Sequence, residues 1–116
     1  MKKTAGNGFP LHLDTEILKI DSPRRRLRGP WCVVHKEISN RWAIVAMDWD
    51  SKPVLGIRWF YGKSGTPISS SYATWFVIPL ELNKSILDSL ELPQNVYDEI
   101  QRFLDGKITG DELHDN

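Results

Sequence analysis

Cysteine is almost missing from this chain. Cys32 is its one thiol among 116 residues, so no internal disulfide can form and no metal site built on several thiolates is available. Long apolar runs are missing too, and no stretch approaches the length of a membrane span. Met1-Lys2-Lys3 carries the charge that opens a signal peptide, but residues 4–10 put no apolar stretch behind it. The expectation is a cytoplasmic protein that makes no membrane contact. An excess of one charge sign is also absent. Fifteen Lys and Arg balance fifteen Asp and Glu, which by itself favours neither nucleic acid nor membrane. The three histidines, His12, His35 and His114, are spread over the termini and one strand, with no metal-ligand spacing. No cofactor is expected.

What the chain has is tryptophan. Trp31, Trp42, Trp49, Trp59 and Trp75 all fall within residues 31–76, inside four short apolar runs separated by turn residues. Residues 31–38 form the first run, with Ser39-Asn40 as a hairpin turn because Asn tolerates the left-handed backbone. Residues 41–49 are nearly continuous in apolar side chains, as in a central strand covered on both faces. After the turn at 50–53, residues 54–61 alternate. Leu55, Ile57, Trp59 and Tyr61 lie on one side, with Val54, Gly56, Arg58 and Phe60 on the other. Residues 62–72 hold two glycines, a proline and the run Ser69-Ser70-Ser71 and read as a long flexible connection to a last strand at 73–78.

Helices follow. Pro79 suits a first helical turn, and Leu82, Ile86 and Leu90 recur every four residues. Leu92-Pro93 ends that helix and begins another, striped by Val96, Ile100, Phe103 and Leu104, with Gly106 placed as its C-terminal cap. Before the sheet, Leu11, Leu13, Ile17, Leu18 and Ile20 fit an edge strand or a single amphipathic turn, the strand being preferred. The fold class is therefore α+β. It is a single domain over 11–106, an antiparallel meander of four to five strands with two C-terminal helices packed on it. Closure of the sheet into a barrel is an open alternative. Residues 1–10 form a flexible N-terminus, and 107–116 an acidic tail or one extra turn.

Two stretches imitate known sites. Gly56, five residues, then Gly62-Lys63-Ser64 approaches the phosphate-binding loop. It is one residue too long, and Gly65-Thr66-Pro67 stands where that loop needs a helix. Residues 105–112, with Asp105, Gly106 and Glu112, resemble the second half of an EF-hand loop. Its first and third ligands would be Gln101 and Phe103, so two carboxylates are missing. For an enzyme the candidates are Cys32, the histidines, Asp48, Asp50, and the hydroxyls of Ser69, Ser70, Ser71 and Tyr72. Cys32 and His35, three apart on a regular strand, point to opposite faces and form no dyad. Asp48 and Asp50 share a face only if the strand runs regularly to Asp50, and a capped turn, with Asp50 leading into Ser51-Lys52-Pro53, is the preferred account. No catalytic residues are assigned, and an enzyme is not expected.

Charge and aromatics remain. Residues 1–41 carry nine Lys or Arg against four Asp or Glu, and residues 80–116 carry three against nine. Arg24, Arg25, Arg26 and Arg28 make the one dense cluster of a single sign. Nine of the twelve aromatics lie within 31–76, and an exposed aromatic face is a partner surface or a platform for bases. Two readings follow. The first is a small binding module of accessory or inhibitor type, meeting a protein partner through an aromatic sheet surface (Arg58, Trp59, Phe60, Tyr61, Tyr72) or the acidic helices. The alternative is a nucleic-acid binder that holds phosphates with Arg24, Arg25, Arg26 and Arg28 and stacks bases on aromatics.

Overall fold

A computed structural model describes residues 9–62 and 64–113. At its centre is the continuous apolar run, strand β2 (Trp42–Trp49), which pairs antiparallel with β1 (Leu27–Glu37) and β3 (Lys52–Trp59). A hairpin of β4 (Ile68–Ser69) and β5 (Tyr72–Ala73) forms a separate two-stranded sheet, and β6 (Phe76–Val77) then joins β3. The main sheet is ordered β1-β2-β3-β6. It stays open, with β1 and β6 at its edges, so the barrel alternative is not realised.

Alternation along β2 divides the core into two layers. Ile44 and Ala46 face Cys32, Leu55, Leu87 of α2 (Asn83–Ser89), and Ile100 and Phe103 of α3 (Gln94–Leu104). Ala43, Val45 and Met47 face the other way, into a layer with Val54, Phe60, Trp75, Leu11 and Ile17. Both faces of the sheet are therefore covered: one by the C-terminal helices, the other by the N-terminal segment. Trp75 fastens that segment by donating its indole N–H to the Ile20 carbonyl at 2.8 Å.

Several local expectations change. Residues 11–20 contain no strand; they form turns around a one-turn helix, α1 (Asp14–Ile17), with Leu11 and Ile17 buried and Leu13 exposed. In the first hairpin the left-handed residue is Arg41, with φ 54°, instead of Asn40. Its guanidinium fixes it there, donating to the Phe9 and Phe60 carbonyls at 3.1 Å each. Asp50 and Ser51 (φ 52° and 68°) make the two-residue turn whose twist suits a hairpin, and Ser70 and Ser71 (φ 51° and 72°) repeat it between β4 and β5. The stretch expected to be a flexible connection is thus partly an ordered hairpin, and the expected last strand is split into β5 and β6.

A 3-10 turn, Leu80–Leu82, precedes α2 and rotates Leu82 outward, so Leu87 takes the buried place in the stripe. The presumed tail also packs as far as it is described. Ile108 and Leu113 lie against the helix-side core, and Gly110 is buried in a 3-10 turn, Gly110–Glu112. A methyl group there would fall 2.1 Å from Trp31 Cε2, so only glycine lets this turn lie on the indole. Among the described residues, no helix is long and apolar enough to cross a membrane.

Candidate functional site

The two residues at the end of β3 and just past it, Trp59 and Tyr61, are the most exposed stacked aromatics of the structure. They are 43% and 51% accessible, with ring centroids 5.8 Å apart and planes 26° from parallel. Trp59 lies on the helix-facing side of the sheet, beyond the reach of the helices. Phe76 of β6 pairs with Ile57, which puts it on that same side, and it is 54% exposed. Tyr72, at the β4–β5 hairpin, is exposed as well but makes no ring contact with Trp59 or Tyr61.

Two residues expected on this surface are inside the protein. Phe60 is buried between Phe9, at 4.7 Å, and Trp75, at 6.2 Å. Arg58 is only 1% exposed. The alternation of β3 correctly turns it away from Trp59, but that face is closed by the N-terminal segment and the 64–74 loop. Three loop carbonyls hold the guanidinium. Nη1 donates to Pro67 at 3.1 Å and to Thr74, and Nη2 donates to Ser64. The rings of Phe60 and Trp75 lie 5.1 and 6.0 Å from its Cζ. Gly65, at φ 66°, permits the enclosure, since a Cβ would sit 2.3 Å from the Trp59 carbonyl and 2.6 Å from Arg58 Nη2. Burial pulls the group down to about 10, so it stays charged at neutral pH.

The arginine cluster lies at the opposite end of the sheet. Leu27 pairs with Trp49, and Trp49 with Lys52. From there to Trp59 is seven strand steps, about 23 Å at 3.3 Å per residue. The cluster is also partly spent on neighbours. Arg26 makes two bonds to Asp50, at 3.0 and 2.6 Å, while lying 5.0 Å over the Trp49 ring. Arg24 pairs with Asp21 at 3.3 Å, and Arg28 stands opposite Asp48 in the sheet. Arg25 is exposed and makes no ion pair among the described residues.

The possible reacting groups are scattered. Asp50 occupies the turn and belongs to Arg26, which holds its carboxyl below the ordinary value. Asp48 borders a hollow of about 180 Å³ with Ser51, Thr109 and Gly110, and Asp50 does not line it. Burial pushes the Asp48 carboxyl up. The Trp31 indole and Arg28 pull the other way, the indole from beyond hydrogen-bonding geometry, because its N–H is buried without an acceptor. Cys32 and His35 do share a face, contrary to the regular-strand expectation. A register shift between Val33 and His35 sets Cys32 against Ala46 and His35 against Ile44. Cys32 is nevertheless sealed in the helix-side core, and His35 packs on Trp42 at 5.2 Å.

The hydroxyls of Ser69, Ser70 and Ser71 sit at an exposed hairpin tip without a hydrogen-bonded base among the described residues. His114 and Lys63 lie outside those residues. No helix follows Ser64, where a phosphate-binding loop would need one; the chain instead bridges back to Trp59 through Thr66. Glu112, the twelfth position of the calcium-loop likeness, accepts from the Thr109 backbone at 2.7 Å. Among the described residues no group of three His, Cys, Asp or Glu could hold a metal ion. The chain was compared with known protein families, with curated protein sequences and with solved structures, and nothing matches it.

Proposed function

We propose that this protein is a non-enzymatic binding module that docks another protein on the aromatic patch of Trp59, Tyr61 and Phe76. The stacked, half-exposed Trp59–Tyr61 pair carries this reading. Both faces of the sheet are otherwise covered, yet three large rings stay in water at one end of it. Tryptophan and tyrosine in such a cluster are what dominates binding energy at protein interfaces. The acidic helices offer a weaker surface, because several of their carboxylates are engaged at home. Asp88 takes Lys84 at 3.1 Å and Tyr97 at 2.7 Å, and Asp98 takes Gln94 at 2.8 Å. The nucleic-acid alternative needs arginines and exposed stacking rings together, and the Trp59–Tyr61 pair stands a strand length from the cluster, whose own ring, Trp49, is covered by Arg26.

The test is capture of partners by the tagged protein from its own cells, after nuclease treatment, with wild type, Trp59→Ala/Tyr61→Ala and Arg25→Ala/Arg28→Ala side by side. A discrete protein held by wild type and by the arginine variant should bind the aromatic variant at least about thirty-fold more weakly. That corresponds to roughly 2 kcal/mol for one interface anchor. Equal binding by the aromatic variant overturns the proposal, and so does a partner lost only on nuclease treatment or on removal of the arginines.

A further inference from the structure

Beside Arg58 lies a cavity of about 240 Å³, open to solvent, and Arg58 forms part of its wall. Phe9, Ile20, Phe60 and Ala73 line it with apolar surface, and Ser64 and Gly65 contribute the loop. We infer that this cavity binds a small organic anion, a carboxylate or phosphate on an apolar body of about one ring, with Arg58 as its charge partner. The inference goes beyond the docking surface, which lies on the other face of β3.

Donor counting supports it. A guanidinium has five N–H groups. Both on Nη1 and one on Nη2 are used by the carbonyls of Pro67, Thr74 and Ser64. The second N–H of Nη2 and the N–H of Nε remain, and Nε has no partner although it is buried. A buried cation thus keeps an N–H without an acceptor beside the cavity, and a carboxylate or phosphate is the acceptor that would also neutralise its charge.

Charge supports it as well. Buried charges in proteins are ordinarily paired, yet burial lowers Arg58 and no carboxylate among the described residues opposes it. The faces of Phe60 and Trp75 offset part of that cost. A purely structural arginine that bolts the loop down would need the three carbonyls, but neither the spare donors nor the adjoining cavity. Size limits the ligand. The volume equals that of about eight waters at 30 Å³ each, below the usual range for nucleotide-sized or drug-sized ligands.

The experiment is calorimetric titration of the full chain with benzoate, phenyl phosphate and benzamide, the last being the uncharged counterpart of benzoate. Saturable one-to-one binding of benzoate or phenyl phosphate, at least ten-fold tighter than benzamide, is expected, and the stronger anion identifies the preferred head group. Binding of neither anion, or equal binding of benzamide, overturns the inference on wild-type protein alone. Ala73→Leu, which adds bulk to the cavity wall and leaves Arg58 in place, should abolish binding while the circular dichroism spectrum stays unchanged. Arg58→Gln should weaken binding at least ten-fold. Unchanged anion affinity in a folded Ala73→Leu protein would place the ligand elsewhere and overturn the assignment.

Discussion

Asp48 carries a cost at neutral pH that a neutral side chain would avoid. Burial raises its folded-state carboxyl above the ordinary value, and the Trp31 indole and Arg28 only partly oppose this. A carboxyl raised on folding destabilises the folded state wherever it is ionised. The penalty is present above the folded pKa and disappears as pH falls through it toward the unfolded value. Asp48→Asn keeps an oxygen facing the indole and removes the charge. The variant should be more stable than wild type at pH 7 in urea unfolding, and the gap should close as the medium is acidified. A gap that persists unchanged under acid would show that charge is not its source. Asp50 carries the opposite sign: Arg26 lowers it, so its ion pair stabilises at neutral pH and is lost as acid protonates the carboxylate.

Among the elements, α1 is the least self-sufficient. Four residues cannot hold a helix by their own hydrogen bonds, so its position depends on Ile17, fully buried against the sheet. Ile17→Ala should cost 2–5 kcal/mol, the usual range for such a truncation, read as a lower urea midpoint. It should also make the amides of residues 11–20 exchange with solvent faster than those of β2. Uniform loss of protection over both would mean that the segment does not open separately. The same segment shows where sequence patterns stop being informative. Leu11, Leu13, Ile17, Leu18 and Ile20 fit both periods, and only the apolar face they cover decides between strand and turn.

Other elements were more legible. The alternation of 54–61, the continuous apolar run of β2 and the stripe of α3 set the sheet, its two-sided burial and the helix that closes it. The alternation also placed Arg58 on the correct face. Its burial was hidden because the carbonyls that enclose it come from Ser64, Pro67 and Thr74, a loop whose serines and glycines suggest mobility. The Cys32 and His35 relation failed for a similar reason, since a bulge leaves no mark on hydropathy. The exposure of Trp59, Tyr61 and Tyr72 could be reasoned from residues, whereas that of Phe76, set by its pairing with Ile57, and the burial of Phe60, which depends on Phe9 fifty-one positions away, could not.

At the scale of the whole molecule, the basic and aromatic surfaces occupy opposite ends of the sheet, and this limits how the protein can meet a polyanion. With Arg24 and Arg26 already paired, Arg25 and Arg28 are the cluster's remaining phosphate contacts. Titration of intrinsic fluorescence with a single-stranded oligonucleotide should therefore give weak binding. The slope of log K against log salt should be no steeper than about −1.4, two contacts at roughly 0.7 each. A slope beyond −3 would mean that the cluster abandons its carboxylates and acts as a unit, which would restore the nucleic-acid alternative.

The bond from Trp75 to the Ile20 carbonyl also sets an order of events during synthesis. Residues 9–20 are made before the sheet, and Phe60 and Trp75, which cover them, are translated about fifty residues later. Until then Leu11 and Ile17 have no lasting burial, and the half-made sheet shows the face that they will close. The β1–β2–β3 meander can pair as it emerges, since its contacts are local. Residues 11–20 can therefore dock only once Trp75 has been made, and the nascent chain is open to chaperones and proteases on that face in the interval before it.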